Sequence, residues 1–198
     1  MSYLDTPQEG RAAGDVDRRY AAERARHGYV PNYVRVFALR PAVQDAWAAL
    51  AGAIRAGMDE RRYELATLAA ARRLRSSYCA LAHGSVLRQR YFDAATLLRV
   101  AVDHHDAGLD PLDVAVMDFA EKVAGDPTAI TAADVDTLRR HGLDDAEILD
   151  VALTAAARCF FSTVLDAVGA EPDALYRTSV EPDLCRALTV GRAIETKQ

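Results

Sequence analysis

A carboxylate, a thiol and an imidazole lie within one apolar, helix-prone stretch of the chain, residues 64–83 (ELATLAAARRLRSSYCALAH). Cys79 and His83 are four residues apart, so in a helix they share one face and come within side-chain reach. Ser76 and Ser77 precede them, and a serine there is a natural N-cap, which predicts that Cys79 lies in a first helical turn. Unpaired N–H groups and the positive end of the helix dipole favour a thiolate at that place.

Each neighbouring side chain has a possible chemical task. A free cysteine is only a few per cent ionised at neutral pH, so a thiol that attacks a substrate or reduces a peroxide needs a base nearby. His83 can take the proton directly, and Glu64, on the preceding helix, can orient His83 or receive the proton in turn. Tyr78 is a candidate donor to a peroxide oxygen, and the hydroxyl of Ser76 is a candidate hydrogen-bond partner of the thiolate. Each residue taken alone also fits ordinary packing or capping, and only their conjunction favours chemistry.

The composition indicates a cytoplasmic protein built from helices. The chain has 198 residues, of which 51% are hydrophobic and 7% aromatic. Alanine, leucine and valine supply most of the apolar surface, which suits close-packed helices, and no stretch alternates as a strand does. A net charge of -5 argues against binding to nucleic acid or to an anionic membrane. The acidic N-terminus indicates no secretory signal, and Arg158 or Asp166 interrupts the apolar runs before they reach the length of a membrane span.

Capping and periodicity predict roughly seven to nine helices in one all-α domain. Asp59 is a candidate cap for a helix that is apolar on nearly every side over residues 65–71, which predicts a buried central helix. Residues 91–108 are predicted to form one helix that ends at a glycine. Beyond residue 171 the periodic pattern weakens, so a partly ordered tail is expected.

The remaining thiols and histidines give weaker indications. Three scattered cysteines cannot build a disulfide framework, so Cys79, Cys159 and Cys185 are expected to be reduced. Cys159 is expected in the core and Cys185 in an exposed position. Residues 103–106 (DHHD) have the composition of a metal site, but neighbours on a helix point about 100° apart, which favours a solvated face. No metal, organic cofactor or phosphate-binding loop is predicted.

The motif resembles the signature of a known superfamily. Glu64, eleven further residues, Ser76-Ser-Tyr-Cys79, three further residues and His83 are similar to the pattern of the alkyl hydroperoxidase D and carboxymuconolactone decarboxylase superfamily. In its peroxidase members the pattern is Glu-x11-Cys-x2-Cys-x3-His. The segments GYVPNYVRVFALRP and VGAEPD resemble the branch of peroxidase-related proteins, and the likeness covers residues 28–173.

The resemblance implies a thiol-dependent peroxidase-type oxidoreductase that reduces hydrogen peroxide or small organic hydroperoxides without a cofactor. Cys79 falls where the peroxide-attacking thiol lies, and Glu64 and His83 fall where the proton relay lies. Ser76 replaces the cysteine that resolves the oxidised thiol in the redox-active members. A sulfenic acid at Cys79 would then need a different reductant: Cys159, Cys185, a thiol of another subunit or a small external thiol.

Two other functions stay open at this point. A decarboxylase or isomerase of a small cyclic or keto acid on the same scaffold would use Glu64 or His83 as general base, with the sulfur incidental. A non-catalytic helical oligomer would keep the motif as packing. These alternatives differ from the first in whether Cys79 takes part in a reaction.

The resemblance also has consequences for architecture and assembly. It implies a single-domain multi-helix bundle over residues 28–173. The polar, charged residues before the bundle predict an N-terminal helical arm at 1–27, and the weak pattern after it predicts a C-terminal tail at 174–198. It further implies a homo-oligomer, commonly a trimer or hexamer, with the site near a subunit boundary.

Overall fold

The computed structural model describes residues 2–196. Within that range the chain forms eleven α-helices and two short 3-10 turns and contains no strand, which confirms the all-α prediction. There are more helices than the sequence predicts because several are shorter than the two turns that periodicity needs. The helices are α1 (Asp15–His27), α2 (Asn32–Phe37), α3 (Pro41–Ala56), α4 (Glu60–Arg73), α5 (Ser77–Arg90), α6 (Ala94–Val102), α7 (Pro111–Gly125), α8 (Ala132–Arg140), α9 (Asp145–Ala167), α10 (Tyr176–Ser179) and α11 (Pro182–Leu188).

Capping side chains fix the starts of α4, α8 and α9. At the start of α4, Asp59 accepts a backbone N–H at 3.0 Å. Thr131 and Asp134 form a capping box at the start of α8, and Asp144 and Glu147 form another at the start of α9. Each of these bonds satisfies a backbone N–H that the first turn of a helix leaves without a partner.

Helix α4 lies at the centre of the fold, as the sequence predicts. Every residue from 65 to 71 is fully buried, and the helix packs against α5, α7 and α9. Its many alanines let the neighbouring helices approach closely, and each buried leucine contributes about 1.5–3 kcal/mol to folding. The result is a rigid support for Glu64, which begins this buried stretch.

The turn between α4 and α5 is held by a segment from the far end of the chain. Arg75 adopts a left-handed backbone conformation with φ of 57°, and Ser76 follows it as the N-cap residue of α5. The N–H of Gly191 donates to Ser77 Oγ at 2.8 Å. A Cβ atom at Gly191 would lie 1.9 Å from the carbonyl oxygen of Arg75, so only glycine fits this contact. The start of α5 is therefore fixed by packing as well as by its own sequence.

The C-terminal segment, for which the sequence gives little periodic pattern, contains two short helices within the described residues. Helices α10 and α11 occupy residues 176–188, and α11 packs against α5 and α6. Val180, Leu184, Leu188 and Ile194 are buried. Their burial against other helices stabilises a segment whose short helices give little periodic pattern of their own.

The helix predicted over residues 91–108 is also shorter than expected. Helix α6 ends at Val102, and Asp103 is extended, with φ of -150° and ψ of 108°. The Asp103 carboxylate accepts the backbone N–H of His105 at 3.0 Å, and a 3-10 turn follows over His104–Asp106. This bond between side chain and backbone competes with continuation of the helix.

Helix α9 is the one described helix that is long and apolar enough, by length and composition, to cross a membrane. In the fold it packs against α3, α4 and α7. Ala155, Phe161 and Leu165 on its inner side are buried in the core. A helix in the core of an all-α domain has the same length and apolar composition, with one side buried against other helices.

Candidate functional site

Helices α4 and α5 bring the residues of the motif together. Helix α5 begins at Ser77 with Ser76 as its N-cap residue, so Cys79 lies in the first turn, as predicted. Only 1% of Cys79 is exposed to solvent. Glu64 lies in the second turn of α4 and is equally buried. The motif therefore forms a buried group of polar side chains between two packed helices.

Glu64 and His83 form a short hydrogen bond. Glu64 Oε2 lies 2.6 Å from His83 Nδ1, and Glu64 Oε1 lies 3.5 Å from a guanidinium nitrogen of Arg55. Burial lowers the pKa of His83, and the positive charge of Arg158 lowers it further, while Glu64 opposes both effects. The imidazole is therefore neutral near pH 7, with its proton on Nδ1 and Nε2 free to act as a base.

The sulfur of Cys79 contacts an arginine that the motif does not contain. Arg158, on α9, donates a hydrogen bond from Nη1 to Cys79 Sγ at 3.5 Å, and only 5% of Arg158 is exposed. The guanidinium also lies over the rings of Trp47 and Phe161, at 5.7 and 5.5 Å from their centres. The ion pairs of the site join Glu64 to its neighbours, and among residues 2–196 none joins Arg158 to a carboxylate.

This contact bears directly on the reactive form of the sulfur. Arginine keeps its proton in proteins, and a buried cation without a negative partner is costly. A Cys79 thiolate would supply the negative charge that no carboxylate provides to Arg158. The arrangement can therefore stabilise a sulfur nucleophile inside the fold.

Cys79 and His83 are on the same helix but are not hydrogen-bonded to each other. Within the described chain the sulfur has one hydrogen bond, which comes from Arg158. His83 is instead held by Glu64, and 17% of its side chain is exposed. His83 can thus exchange protons with water or substrate while the sulfur is stabilised separately.

The expectation that Tyr78 donates to a peroxide oxygen is at odds with its contacts. Its hydroxyl donates to Asp173 Oδ2 at 2.6 Å and accepts the backbone N–H of Tyr33 at 3.2 Å. Burial and the nearby Asp173 raise the pKa of Tyr78 well above its ordinary value. Tyr78 therefore ties the first turn of α5 to the segment after α9, and its proton is already donated.

The Ser76 hydroxyl does not contact the Cys79 sulfur through a hydrogen bond. Its hydroxyl is fully buried and satisfies no hydrogen-bond geometry with any described residue, the backbone of its own helix included. Burial raises the pKa of the Asp166 carboxyl, and interaction with the Ser76 hydroxyl opposes that rise. The prediction that Ser76 bonds to the Cys79 thiolate is therefore not met in this structure.

The other two cysteines are poor substitutes for the missing resolving thiol. All three cysteines are free, and Cys159 and Cys185 are both partly buried rather than one core and one exposed. Burial raises the pKa of both thiols. Because the thiolate is the reactive form, this shift slows their attack on an oxidised sulfur at Cys79.

Arg158 is the functional candidate that the motif misses. One sequence signal does point to Arg158. It interrupts the apolar run of α9, and charged residues are seldom buried without a partner. A cavity of about 600 Å³ lies elsewhere, with Arg73, Lys122 and His141 among its lining residues. Its lining includes neither Cys79 nor Arg158, so chemistry rather than cavity size identifies the candidate site.

No protein-family model and no curated protein matches the chain. Among solved structures, it is similar to the alkylhydroperoxidase AhpD core of an uncharacterized peroxidase-related protein from Ralstonia eutropha JMP134. The TM-score is 0.80 at 26% identity, over 91% of this chain and 97% of that chain.

Two further structures share the fold. An uncharacterized peroxidase-related protein from Silicibacter sp. TM1040 aligns with a TM-score of 0.80 and 24% identity over 89% of this chain and 94% of that chain. The debrominase Bmp8, solved as a cysteine-to-alanine variant in complex with 2,3,4-tribromopyrrole, aligns with a TM-score of 0.74 and 15% identity over 89% and 95%. The chain therefore has the alkylhydroperoxidase D-like fold, and its resemblance to the peroxidase-related proteins of that fold, which the motif predicts, is confirmed.

Proposed function

We propose that the protein is a thiol-dependent oxidoreductase that reduces hydrogen peroxide or small organic hydroperoxides at Cys79. The observation that carries this proposal is the contact of the buried Cys79 sulfur, in the first turn of α5, with the guanidinium of Arg158 at 3.5 Å. A thiolate stabilised by a cation and a helix N-terminus is the reactive form of cysteine. The fold, shared with peroxidase-related proteins, is consistent with this chemistry.

The reaction begins with attack of the Cys79 thiolate on the terminal oxygen of the peroxide. The sulfur–oxygen bond forms as the oxygen–oxygen bond breaks, so the cysteine is oxidised to a sulfenic acid and the peroxide is reduced to an alcohol or water. The departing oxygen takes one proton. His83, oriented by Glu64 at 2.6 Å and partly exposed, relays that proton from water.

The reduction step needs a thiol from outside the chain. A small thiol attacks the sulfenic acid, releases water and forms a mixed disulfide, and a second thiol molecule then releases the Cys79 thiolate as a new disulfide forms. Cys79 is 1% exposed, which favours a small reductant over a protein partner. Ser76, where a resolving cysteine would lie, has no thiol to contribute.

One observation favours a second candidate function. Glu64 and His83 form a pair that does not include Cys79, and such a pair could serve as general base in a decarboxylase or isomerase of a small keto acid. The debrominase of the same fold is a reminder that this scaffold carries more than one chemistry. A substrate panel should therefore include keto acids and a brominated pyrrole, tested with Cys79→Ala, which removes only the thiol chemistry.

Cys79→Ser should reduce peroxide consumption to the background rate, because a hydroxyl cannot form a sulfenic acid. The measurement is the disappearance of hydrogen peroxide and cumene hydroperoxide in the presence of dithiothreitol. Cys159→Ser and Cys185→Ser are the matched controls and should keep the wild-type rate. Equal rates for wild type and Cys79→Ser would exclude the proposed reaction.

Arg158→Met should slow alkylation of Cys79 by iodoacetamide near neutral pH. A hydrogen bond to a charged group contributes about 1.5–3 kcal/mol, so the expected change is roughly ten- to hundredfold. The rate is measured in a background without Cys159 and Cys185. Arg55→Met, which removes the partner of Glu64 instead, should leave the rate nearly unchanged, and equal slowing in both variants would contradict assignment of Arg158 to the sulfur.

His83 should titrate below its ordinary pKa of 6.5, because burial and Arg158 disfavour the imidazolium. Glu64→Gln removes an opposing charge, so the midpoint should move to still lower pH, whereas Arg158→Met should move it upward. The midpoint is read from the pH dependence of the imidazole NMR signals, with His83→Gln for assignment. A midpoint above 6.5, or an upward shift in Glu64→Gln, would contradict the assigned effects of burial, Arg158 and Glu64 on the pKa of His83.

We also propose that the chain assembles as a homo-oligomer, in which a second copy covers apolar side chains on α3 and α9. These two helices pack together, and several of their apolar residues are exposed: Val43, Leu50, Leu149, Leu153 and Phe160. Phe160 contacts Trp47, whose ring lies under Arg158, so such an interface would border the site. Exposed apolar side chains on two neighbouring helices are the kind of surface that a second copy would cover.

Light scattering should give a molar mass of a multiple of 21.5 kDa, with a trimer or hexamer expected. Leu149→Glu should lower that mass, because a charge at the covered face opposes association. Val102→Glu, at an exposed position on α6, is the control and should not change it. A monomeric wild-type protein would disprove the assembly.

A further inference from the structure

Residues 103–106 (DHHD) form an extended residue followed by a 3-10 turn, so the objection that rests on side-chain directions around an α-helix does not apply. The turn faces Asp118 of α7. His104 Nε2 lies 2.8 Å and His105 Nε2 lies 2.9 Å from the same oxygen, Asp118 Oδ1. The two imidazole rings stack with their centres 4.2 Å apart. Two imidazole nitrogens and one carboxylate oxygen therefore converge on one point.

Asp103 supports this arrangement from behind. Its Oδ1 lies 3.0 Å from His105 Nδ1 and also accepts the backbone N–H of His105. In metal sites a carboxylate bonded to the far nitrogen of a histidine fixes the ring and leaves Nε2 as the ligand. The Asp103–His105 pair has that arrangement, and the ligand atoms of residues 103, 104 and 105 lie within 4.8 Å of one another.

The charge of the cluster is suited to a cation. Within the described chain the ion pairs of Asp103 and Asp118 are with His104 and His105, and neither carboxylate pairs with an arginine or lysine. Two carboxylates without an arginine or lysine partner provide negative charge that a divalent ion would neutralise. The side chain of His104 is 7% exposed, whereas those of His105 and Asp118 are 56% and 41% exposed, so one side of the cluster is open to water.

We propose that His104, His105 and Asp118 bind a divalent transition-metal ion of the zinc, cobalt or nickel type, with Asp103 orienting His105. Mixed imidazole and carboxylate ligands favour these ions over magnesium and calcium, which prefer oxygen alone. Three protein ligands and a water molecule complete a tetrahedral shell for zinc. The bound ion ties the 104–106 turn to α7 and stabilises the folded chain. The site contains none of the residues proposed to reduce peroxide, so it is independent of that function.

The test is titration of the metal-free, full-length protein with Zn²⁺ by calorimetry and with Co²⁺ by visible spectroscopy. Wild type should bind one equivalent, with a cobalt spectrum that lacks thiolate charge-transfer bands. His105→Gln and Asp118→Asn should each weaken binding by roughly tenfold or more, and Asp103→Asn should weaken it by roughly 10- to 100-fold. His27→Gln, a histidine outside the cluster, is the matched control and should bind as wild type does.

Three results would overturn the proposal. They are no binding of Zn²⁺ or Co²⁺ by wild type, unchanged affinity in His105→Gln and Asp118→Asn, or a cobalt spectrum with thiolate bands that Cys79→Ser abolishes. Circular dichroism of the metal-free variants separates lost ligands from lost folding. Because His105 and Asp103 are exposed, their variants should have the same melting temperature as the metal-free wild type. If Asp118→Asn unfolds, the metal affinity of His105→Gln or Asp103→Asn tests the proposal instead.

Discussion

A hydrogen bond from the guanidinium of Arg158 to the sulfur of Cys79 joins α9 to the first turn of α5, where both residues are almost fully buried. A guanidinium cannot give up its charge, so its burial requires a negative partner or a large compensation from packing. The faces of Trp47 and Phe161 supply part of that compensation through cation–π contact. Glu64 is engaged by other groups, so the sulfur is the group left to balance Arg158.

The surrounding contacts divide the polar groups of the site into separate networks. Glu64 holds His83 and is approached by Arg55, which keeps the carboxylate away from the sulfur and its arginine. On the other side of Cys79, Tyr78 donates to Asp173. The first turn of α5 is thus fixed by neighbours of Cys79 along the chain. Because Cys79 is already held in place, the reaction does not have to include the entropy cost of positioning the nucleophile.

Local signals account for the part of the site that the sequence predicts. The location of Cys79 in the first turn of α5 and the burial of α4 agree with predictions from local residue types and hydrophobic pattern, which act over a few residues. The Ser76 hydroxyl nevertheless makes no capping hydrogen bond, so packing helps to fix the start of α5. The pairing of Glu64 with His83, which lie on two different helices, is what the resemblance to the superfamily signature implies. The end of α6 was missed because Asp103 caps a 3-10 turn, an alternative that composition does not distinguish from a longer helix.

Contacts between distant parts of the chain account for what the sequence does not predict. Cys79 and Arg158 are separated by 79 positions, and Tyr78 and Asp173 by 95. Such pairs depend on how helices pack, and no local pattern encodes that packing. The helices of the C-terminal segment are not predicted for the same reason. Leu184 and Leu188 of the short helix α11 are buried by contacts with other helices, which the local sequence pattern does not encode.

The most direct measurement is the intact mass of a variant in which Cys79 is the only cysteine, after treatment with one equivalent of hydrogen peroxide. We expect a gain of one oxygen atom at Cys79, trapped by a sulfenic-acid reagent and reversed by a small thiol. The folded protein should react faster than the same chain in denaturant, because only the fold brings Arg158 to the sulfur. An unmodified Cys79, or equal rates in the folded and unfolded chain, would contradict an activated thiolate at this site.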